Sequence, residues 1–237
     1  MTRWLYSVLM WMAQPLLRRK LHRRAVQEPG YQMAMEERFG HYAEAVPPAT
    51  GPTVWIHAVS LGETRAAAVL VAGLRQHLPG MRLLLTHGTA TGRAEGARLL
   101  QAGDLQAWQP WDTVTAVQRF LAHFKPTMGI LMETEIWPNL VHVCRREVVP
   151  LVLANARLSE KSLHQAQRLA WLSRPAYAAL TAVLAQTTQD AARLGQLGAP
   201  VRGVVGNLKF DAAPDAGQLL TGRAWRERFG RPVVMLA

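Results

Sequence analysis

A regular alternation along residues 53–205 constrains the fold of this chain more than any other feature. Short apolar runs alternate with longer segments in which apolar residues recur with a helical period. The runs lie at 53–59, 82–86, 106–108, 127–132, 151–154, 183–186 and 201–205, and the helical segments at 64–77, 93–101, 113–123, 139–146, 163–180 and 190–197. This alternation is typical of β-α units with parallel strands. Asp112 directly precedes the third helical segment and is expected to cap it. The sequence therefore predicts an α/β fold: one doubly wound, Rossmann-like parallel-sheet domain that binds ligands at the carboxyl ends of its strands.

Composition excludes several other classes. The chain has 237 residues, of which 49% are hydrophobic and 18% charged, so a packed domain is expected rather than disorder. Cys144 is the single cysteine, which rules out an intrachain disulfide and favours a small buried apolar role. The eight histidines lack metal-site spacing, and neither GxGxxG nor a P-loop follows the first predicted strand. We therefore expect no metal and no cofactor.

The net charge of +11 is concentrated at the start of the chain. The first 24 residues contain no acid and six basic residues: Arg3, Arg18, Arg19, Lys20, Arg23 and Arg24. The apolar stretch 4–17 would span about 21 Å as a helix, short of the ~30 Å hydrocarbon core of a bilayer. Residues 1–25 therefore predict a membrane-anchor helix that lies in the interface, with its basic flank on anionic headgroups.

Three other interpretations of the N-terminal segment remain. A signal peptide is disfavoured, because the basic residues follow the apolar stretch and no small-residue cleavage site appears. A helix that spans the whole membrane and an ordinary core helix both stay open. A nucleic-acid partner is not expected, because the basic run belongs to this segment and no aromatic-basic stacking pattern appears.

The remaining chain divides into two parts. Residues 26–212 hold the predicted sheet domain, which begins with a polar stretch at 27–50 and a Pro-rich linker that ends at residue 52. Residues 213–237 predict a connecting helix at 216–229 and a new apolar run at 231–237. We interpret that run as the first strand of a second domain, of which the rest is missing from this chain.

Polar clusters follow the first two predicted strands. The sequence His57-Ala-Val-Ser-Leu-Gly-Glu63 contains Ser60 and Gly62, and its glycine allows the backbone to pass close to a ligand. Glu63 falls at a helix start, where the positive end of the helix dipole favours the ionised form that a general base requires. The alternative is a helix-capping glutamate without a catalytic role. After the second strand, Thr89 and Thr91 offer hydroxyls to an anion.

Three further clusters follow later strands. Glu133, Glu135 and Trp137 emerge abruptly from a strongly apolar strand, and catalytic and structural roles are equally open for them. Asn155 and Arg157 follow the next strand, where they either contact a ligand or form structural hydrogen bonds. Lys209 lies just past the last strand. A lysine at such a position usually lies on a solvated face.

Taken together and in order, these motifs resemble the 3-deoxy-D-manno-octulosonic acid (Kdo) transferase family of lipopolysaccharide biosynthesis. The motifs are HAVSLGE (57–63), QPWD (109–112), METEIWPN (132–139), NARLS (155–159), AQT (185–187) and GNLKFD (206–211). METEIWPN followed by NARLS is specific, and the resemblance extends over the whole chain. Departures at His87, Gly88 and Trp111 concern substrate detail.

The resemblance implies the amino-terminal half of a GT-B glycosyltransferase, with the acceptor on this half and the donor, CMP-Kdo, on the missing half. It implies transfer of Kdo to the lipid A precursor lipid IVA, with inversion and without a metal, at the cytoplasmic face of the inner membrane. By motif position Glu63 corresponds to the proton acceptor, and Glu133 and Lys209 to residues that assist the transition state. Substrate contacts are expected at Ser60, Gly62, Thr89, Thr91, Asn155 and Arg157.

The resemblance also bears on activity and on rival functions. This chain, taken alone, is expected to be an incomplete enzyme. The alternatives are half of another GT-B glycosyltransferase and a non-catalytic basic module that binds a membrane surface.

Overall fold

Seven parallel strands form one sheet in the computed structural model, which describes residues 2–211, 216–231 and 234. All seven predicted strands are confirmed, with ends shifted by at most two residues. They are β1 Thr53–His57, β2 Arg82–His87, β3 Leu105–Trp108, β4 Met128–Met132, β5 Leu151–Ala156, β6 Ala182–Ala185 and β7 Val201–Val204. Their order is β3-β2-β1-β4-β5-β6-β7. The chain thus builds outward from β1 in one direction and from β4 in the other.

Helices connect the strands, and most of them begin one to three residues earlier than the periodicity predicted. They are α3 Leu61–His77, α4 Ala90–Ala97, α5 Val114–Phe124, α6 Pro138–Arg146, α7 Glu160–Arg168, α8 Ala170–Ala178 and α9 Thr188–Gln196. Ser60, Thr89 and Thr187 start their helices by accepting the backbone N–H three residues ahead. The single helix predicted at 163–180 is wrong, because the chain leaves helical geometry at Leu169 and forms α7 and α8 instead.

The core lies on both faces of the sheet. All five residues of β1 are buried; Val54 and Ile56 pack on one face and Trp55 on the other, as strand alternation requires. Gly129 of β4 lies beside the Trp55 ring, where a Cβ atom would come within 2.6 Å of both Trp55 and Leu151. Cys144 is fully buried, as expected, and burial raises the pKa of its thiol to about 12.

The polar stretch at 27–50 covers the β3 edge of the sheet. Its 3₁₀ turns Pro29–Tyr31 and Met35–Phe39 pack against β3, and Tyr31 stacks on Trp108 with ring centroids 6.0 Å apart. The Glu37 carboxylate accepts a 2.8 Å bond from the Trp108 backbone N–H and a 2.9 Å bond from Arg93. The edge strand therefore has hydrogen-bond partners on its outer side.

The N-terminal segment does not form the single anchor helix that was predicted. It forms two helices, α1 Thr2–Met12 and α2 Gln14–Gln27, with Pro15 in the first turn of α2. In residues 2–211 and 216–231, no helix has both the length and the apolar character needed to cross a membrane. Helix α1 contacts α6 and α8 of the sheet domain. It is therefore docked on the domain and not a free appendage.

The connecting helix is present as predicted: α10 spans Ala216–Phe229. The strand predicted at 231–237 lies outside the described residues apart from Arg231 and Val234, and neither of these is in a strand.

Candidate functional site

The strand order places the candidate residues at a topological switch point. Between β1 and β4 the chain changes the direction in which it builds the sheet, so the loops at their carboxyl ends separate and leave a crevice. Glu63 follows β1 and Glu133 follows β4, so the two predicted catalytic carboxylates flank this crevice. Arg157 follows β5, and Lys209 lies beyond β7. The site therefore draws on four strand ends.

Glu63 is held by the start of its own helix. Its two carboxylate oxygens accept bonds from the Val59 backbone N–H at 2.9 Å and from the Ser60 hydroxyl at 3.0 Å. Ser60 in turn accepts the Glu63 N–H at 3.4 Å, so the two side chains together cap the start of α3. The capping role that the sequence left open is thus real, and it fixes the side chain without neutralising it.

The electrostatic setting of Glu63 differs from the one expected. Burial raises the pKa of its carboxyl, against the hydrogen bonds from Val59 and Ser60, which lower it. The prediction that a helix start would favour the ionised form is therefore opposed by desolvation. A carboxylate with a raised pKa accepts a proton more readily, which suits a general base.

Glu133 forms ion pairs with Arg157 and Lys209, two of the predicted site residues. It has a left-handed backbone, with φ of 57°, and its side chain is only 3% exposed. Arg157 Nε lies 2.7 Å from one carboxylate oxygen and Lys209 Nζ 2.8 Å from the other. Because the two cationic side chains are 58% and 45% exposed, they also face solvent, where a ligand could reach them.

Asn155 has a positioning role in the structure. Its backbone is also left-handed, with φ of 51°. The Asn155 side-chain oxygen accepts the Leu208 N–H at 3.1 Å and so holds the turn that carries Lys209. The side-chain nitrogen is buried and has no hydrogen-bond partner among the described residues. The structural alternative considered for Asn155 is thus confirmed for its oxygen.

The remaining predicted binding residues differ in their availability to a ligand. Thr89 donates to the Val59 carbonyl at 2.9 Å and accepts from the Gly92 N–H at 3.1 Å, so its hydroxyl is already engaged. Thr91 is exposed, with its hydroxyl 3.4 Å from that of Thr89. Gly62 is open, since a Cβ there would meet nothing within 4 Å. Substrate contact at these positions stays a prediction.

His57 and Glu135 are two ionisable residues close to this site that have no assigned role. Glu135 accepts a 2.9 Å bond from the Trp137 indole and lies 4.0 Å from Nε2 of His57. Burial raises the pKa of Glu135 and lowers that of His57 to about 3, so His57 is neutral at physiological pH. The position of Glu135 in the loop after β4 was visible in the sequence, but its contact with His57 joins two distant segments.

Asp112 does not have the role that its neighbourhood predicted. It was expected to cap the helix at 113–123, but Thr113 caps α5 instead. The Asp112 carboxylate accepts the backbone N–H groups at the start of α6. Among residues 2–211, 216–231 and 234, no group of three or more His, Cys, Asp and Glu side chains is placed to hold a metal ion.

Solved structures with some likeness to this chain include sugar-nucleotide enzymes. UDP-GlcNAc 2-epimerase from Neisseria meningitidis bound to UDP-GlcNAc is 16% identical, with a TM-score of 0.47 over 74% of this chain and 50% of the epimerase. A second UDP-N-acetylglucosamine 2-epimerase is 15% identical, with a TM-score of 0.49 over 70% of this chain and 52% of that protein.

Curated relatives are much more similar in sequence. The 3-deoxy-D-manno-octulosonic acid transferase of Bordetella pertussis is 46% identical over 243 aligned residues, which cover 100% of this chain and 56% of the relative. The protein of the same name from Haemophilus influenzae is 33% identical over 214 residues, covering 89% of this chain and 50% of the relative. The chain thus spans about half the length of the relatives it matches.

The family model for 3-deoxy-D-manno-octulosonic-acid transferase (kdotransferase) matches residues 33–212. That span contains Glu63, Glu133 and Lys209 together with all seven strands. With a match over most of the chain and relatives of this similarity, the chain belongs to the 3-deoxy-D-manno-octulosonic acid transferase family.

Proposed function

We propose that this chain is the acceptor-binding half of a two-domain GT-B Kdo transferase, which transfers Kdo from CMP-Kdo to the lipid A precursor lipid IVA. The observation that carries the proposal is the placement of Glu63 and of the Glu133–Arg157–Lys209 cluster on the two sides of one crevice in a member of this family. CMP-Kdo binds mainly to the second half of the complete enzyme, which faces this crevice.

In the proposed reaction Glu63 takes the proton of the attacking acceptor hydroxyl. The hydroxyl oxygen forms a bond to the anomeric carbon of Kdo while the bond from that carbon to the phosphate oxygen breaks, so the anomeric configuration inverts. The proton ends on Glu63, and CMP leaves with the electron pair of the broken bond. Hydrogen bonds from Val59 and Ser60 hold the carboxylate in place, and burial raises its pKa despite the opposing charge of Lys209.

The Glu133 cluster serves the charge that develops on the donor side. A positive anomeric centre is stabilised by a nearby carboxylate, and the departing phosphate of CMP is stabilised by a cation such as Lys209. Because CMP leaves as a stabilised phosphate anion, the reaction needs no general acid, and we propose that it needs no metal.

The N-terminal helices support a location on the cytoplasmic face of the inner membrane. The exposed face of α1 carries Trp4, Leu5, Leu9 and Trp11, of which Trp4 is 70% exposed. Helix α2 adds the basic residues Arg18, Arg19, Lys20, Arg23 and Arg24. An apolar face beside a basic one matches the interface of an anionic bilayer, which also holds a phosphorylated lipid acceptor.

The decisive experiment measures transfer by a complete enzyme that contains this half. Labelled CMP-Kdo and tetra-acylated lipid IVA are supplied, with UDP-GlcNAc as a competing donor and with EDTA in a parallel reaction. We expect transfer of Kdo alone, undiminished by EDTA. Transfer from UDP-GlcNAc without transfer from CMP-Kdo would favour another GT-B glycosyltransferase, and loss of activity in EDTA would refute metal independence.

A further inference from the structure

Helix α1 has its polar side toward the protein and its apolar side toward solvent. Arg3, Tyr6 and Ser7 recur at helical spacing on the docked side, whereas Trp4 and Leu9 are on the exposed side. Arg3 and Ser7 each bond the Asn139 side-chain oxygen at 2.8 Å. The Tyr6 hydroxyl donates a 2.7 Å bond to the Asp112 carboxylate. Hydrogen bonds, rather than apolar packing alone, therefore hold α1 on the domain.

Asp112 caps a helix that begins far from it in sequence. Helix α6 has Trp137 at its N-cap, and no side chain of the helix itself caps its first turn. The Asp112 carboxylate accepts the Asn139 N–H at 3.1 Å and the Leu140 N–H at 2.7 Å, while the Asn139 amide donates to the Asp112 carbonyl at 2.7 Å. A carboxylate at this position satisfies free N–H groups and meets the positive end of the helix dipole.

These contacts fix one end of the loop that carries Glu133. The loop at 133–137 joins β4 to α6 and holds Glu133, Glu135 and Trp137. Its strand end is fixed by the 3.0 Å bond from the Glu133 N–H to the Ala154 carbonyl. Its helix end meets Asp112, and the Trp137 ring stacks on Trp111, with centroids 6.2 Å apart. A shift of Asp112 would therefore move the helix end of the loop while the strand end stays in place.

We infer that Asp112 is a positioning residue for the 133–137 loop. Its bond to Tyr6 would then couple the geometry of that loop to the binding of a bilayer by the exposed side of α1. The inference rests on the proposed function for its catalytic consequence. Lipid that covers the exposed side of α1 stabilises the helix in its place on the domain. Because coupling between two sites is reciprocal, the 133–137 loop is held more firmly when the membrane is bound. Burial and Asp112 raise the pKa of Tyr6, so its hydroxyl keeps its proton and remains a donor at physiological pH.

The test compares Tyr6→Phe and Asp112→Asn with Tyr42→Phe in the complete enzyme. Tyr42 is the matched control, because its buried hydroxyl has no hydrogen-bond partner among the described residues. Hydrogen exchange is measured at the amides of residues 139 and 140, with and without vesicles of phosphatidylglycerol. Since a hydrogen bond to a charged group is lost, we expect Tyr6→Phe to speed exchange there about tenfold and to abolish the protection that vesicles confer on wild type.

The catalytic consequence is read separately. Tyr6→Phe should lower kcat about tenfold and leave the KM for CMP-Kdo unchanged, and Asp112→Asn should act in the same direction and more strongly. Tyr42→Phe should change neither. Wild-type exchange rates in Tyr6→Phe would overturn the coupling, and faster exchange with an unchanged kcat would overturn the positioning role. If the wild-type enzyme transferred no Kdo, the proposed function would fail while the exchange data still decided the coupling.

Discussion

Replacing Glu63 by Gln separates catalysis from capping, because this side chain caps the start of α3 in the structure and is also the proposed general base. The amide cannot take a proton, and loss of a positioned general base typically costs about 10²–10⁴-fold in rate, or about 3–5 kcal/mol of barrier. In the Glu63→Gln variant the side-chain amide oxygen can still accept the Val59 N–H, and the Ser60 hydroxyl can rotate to accept from the amide nitrogen. The stability cost should therefore stay near 1 kcal/mol, or roughly 2–4 °C in Tm.

Asp190 offers a matched control for the loss of stability expected in Glu63→Gln. Its carboxylate accepts the Leu158 backbone N–H at 2.8 Å and the hydroxyl of the N-cap residue Thr187 at 2.5 Å, the same two kinds of bond that Glu63 accepts. Asp190 lies at the start of α9 and has no part in the proposed chemistry. Asp190→Asn should lower Tm by a similar amount and leave turnover close to that of wild type.

Both variants are measured in the complete enzyme by Kdo transfer and by thermal unfolding. The raised pKa of Glu63 adds a second readout: kcat/KM of wild type should fall on acidification at a pH above the ordinary glutamate value of 4.5, because the base must be unprotonated. A folded Glu63→Gln enzyme with near-normal turnover would refute the assignment of the base. An equal loss of turnover in Asp190→Asn would show that the helix cap, and not the proton transfer, is what matters.

Three further outcomes are expected. Glu133→Ala should lower kcat by about 10²-fold or more with little change in acceptor KM, and a defect confined to acceptor KM in steady-state assays would instead indicate substrate positioning. Gly129→Ala should cost about 1–3 kcal/mol in urea unfolding because its Cβ overlaps two core side chains, whereas Gly73→Ala in α3 meets nothing within 4 Å and should be neutral or stabilising. Burial lowers the pKa of His57 to about 3, so the unfolded chain binds more protons than the native chain below pH 6.5. The stability that depends on a neutral His57 is therefore present above pH 6.5 and is lost as the pH falls toward 3. His57→Gln should therefore flatten the dependence of unfolding free energy on pH over that range, and an unchanged slope would contradict a buried neutral histidine.

The sheet could be predicted from the sequence because each parallel strand is buried on both faces and so reads as an apolar run. The site could be located for a related reason. Strand ends in such a sheet lie at one edge, so polar residues that follow directly after the runs converge there, as Glu63 and Glu133 do.

Contacts that join distant segments were not predictable. The position of Asp112 before a helical segment predicted a cap for α5. A residue that caps α5 and one that caps α6 look the same in sequence, and only the packing of α5 on α6 decides between them. The N-terminal segment shows the same limit. Its apolar stretch was visible, but the docking of Tyr6 and Ser7 depends on partners more than a hundred residues away.

The cover on the β3 edge has a practical consequence for producing this domain on its own. Its polar composition and Pro-rich end would lead an experimenter to cut the gene at residue 52, just before β1. In such a product Trp108 would lack the Tyr31 ring that stacks on it, and its backbone N–H would lack the Glu37 carboxylate that accepts its hydrogen bond. An uncovered edge strand beside a bare indole invites strand-to-strand aggregation. Soluble expression should therefore depend on starting at or before Pro29.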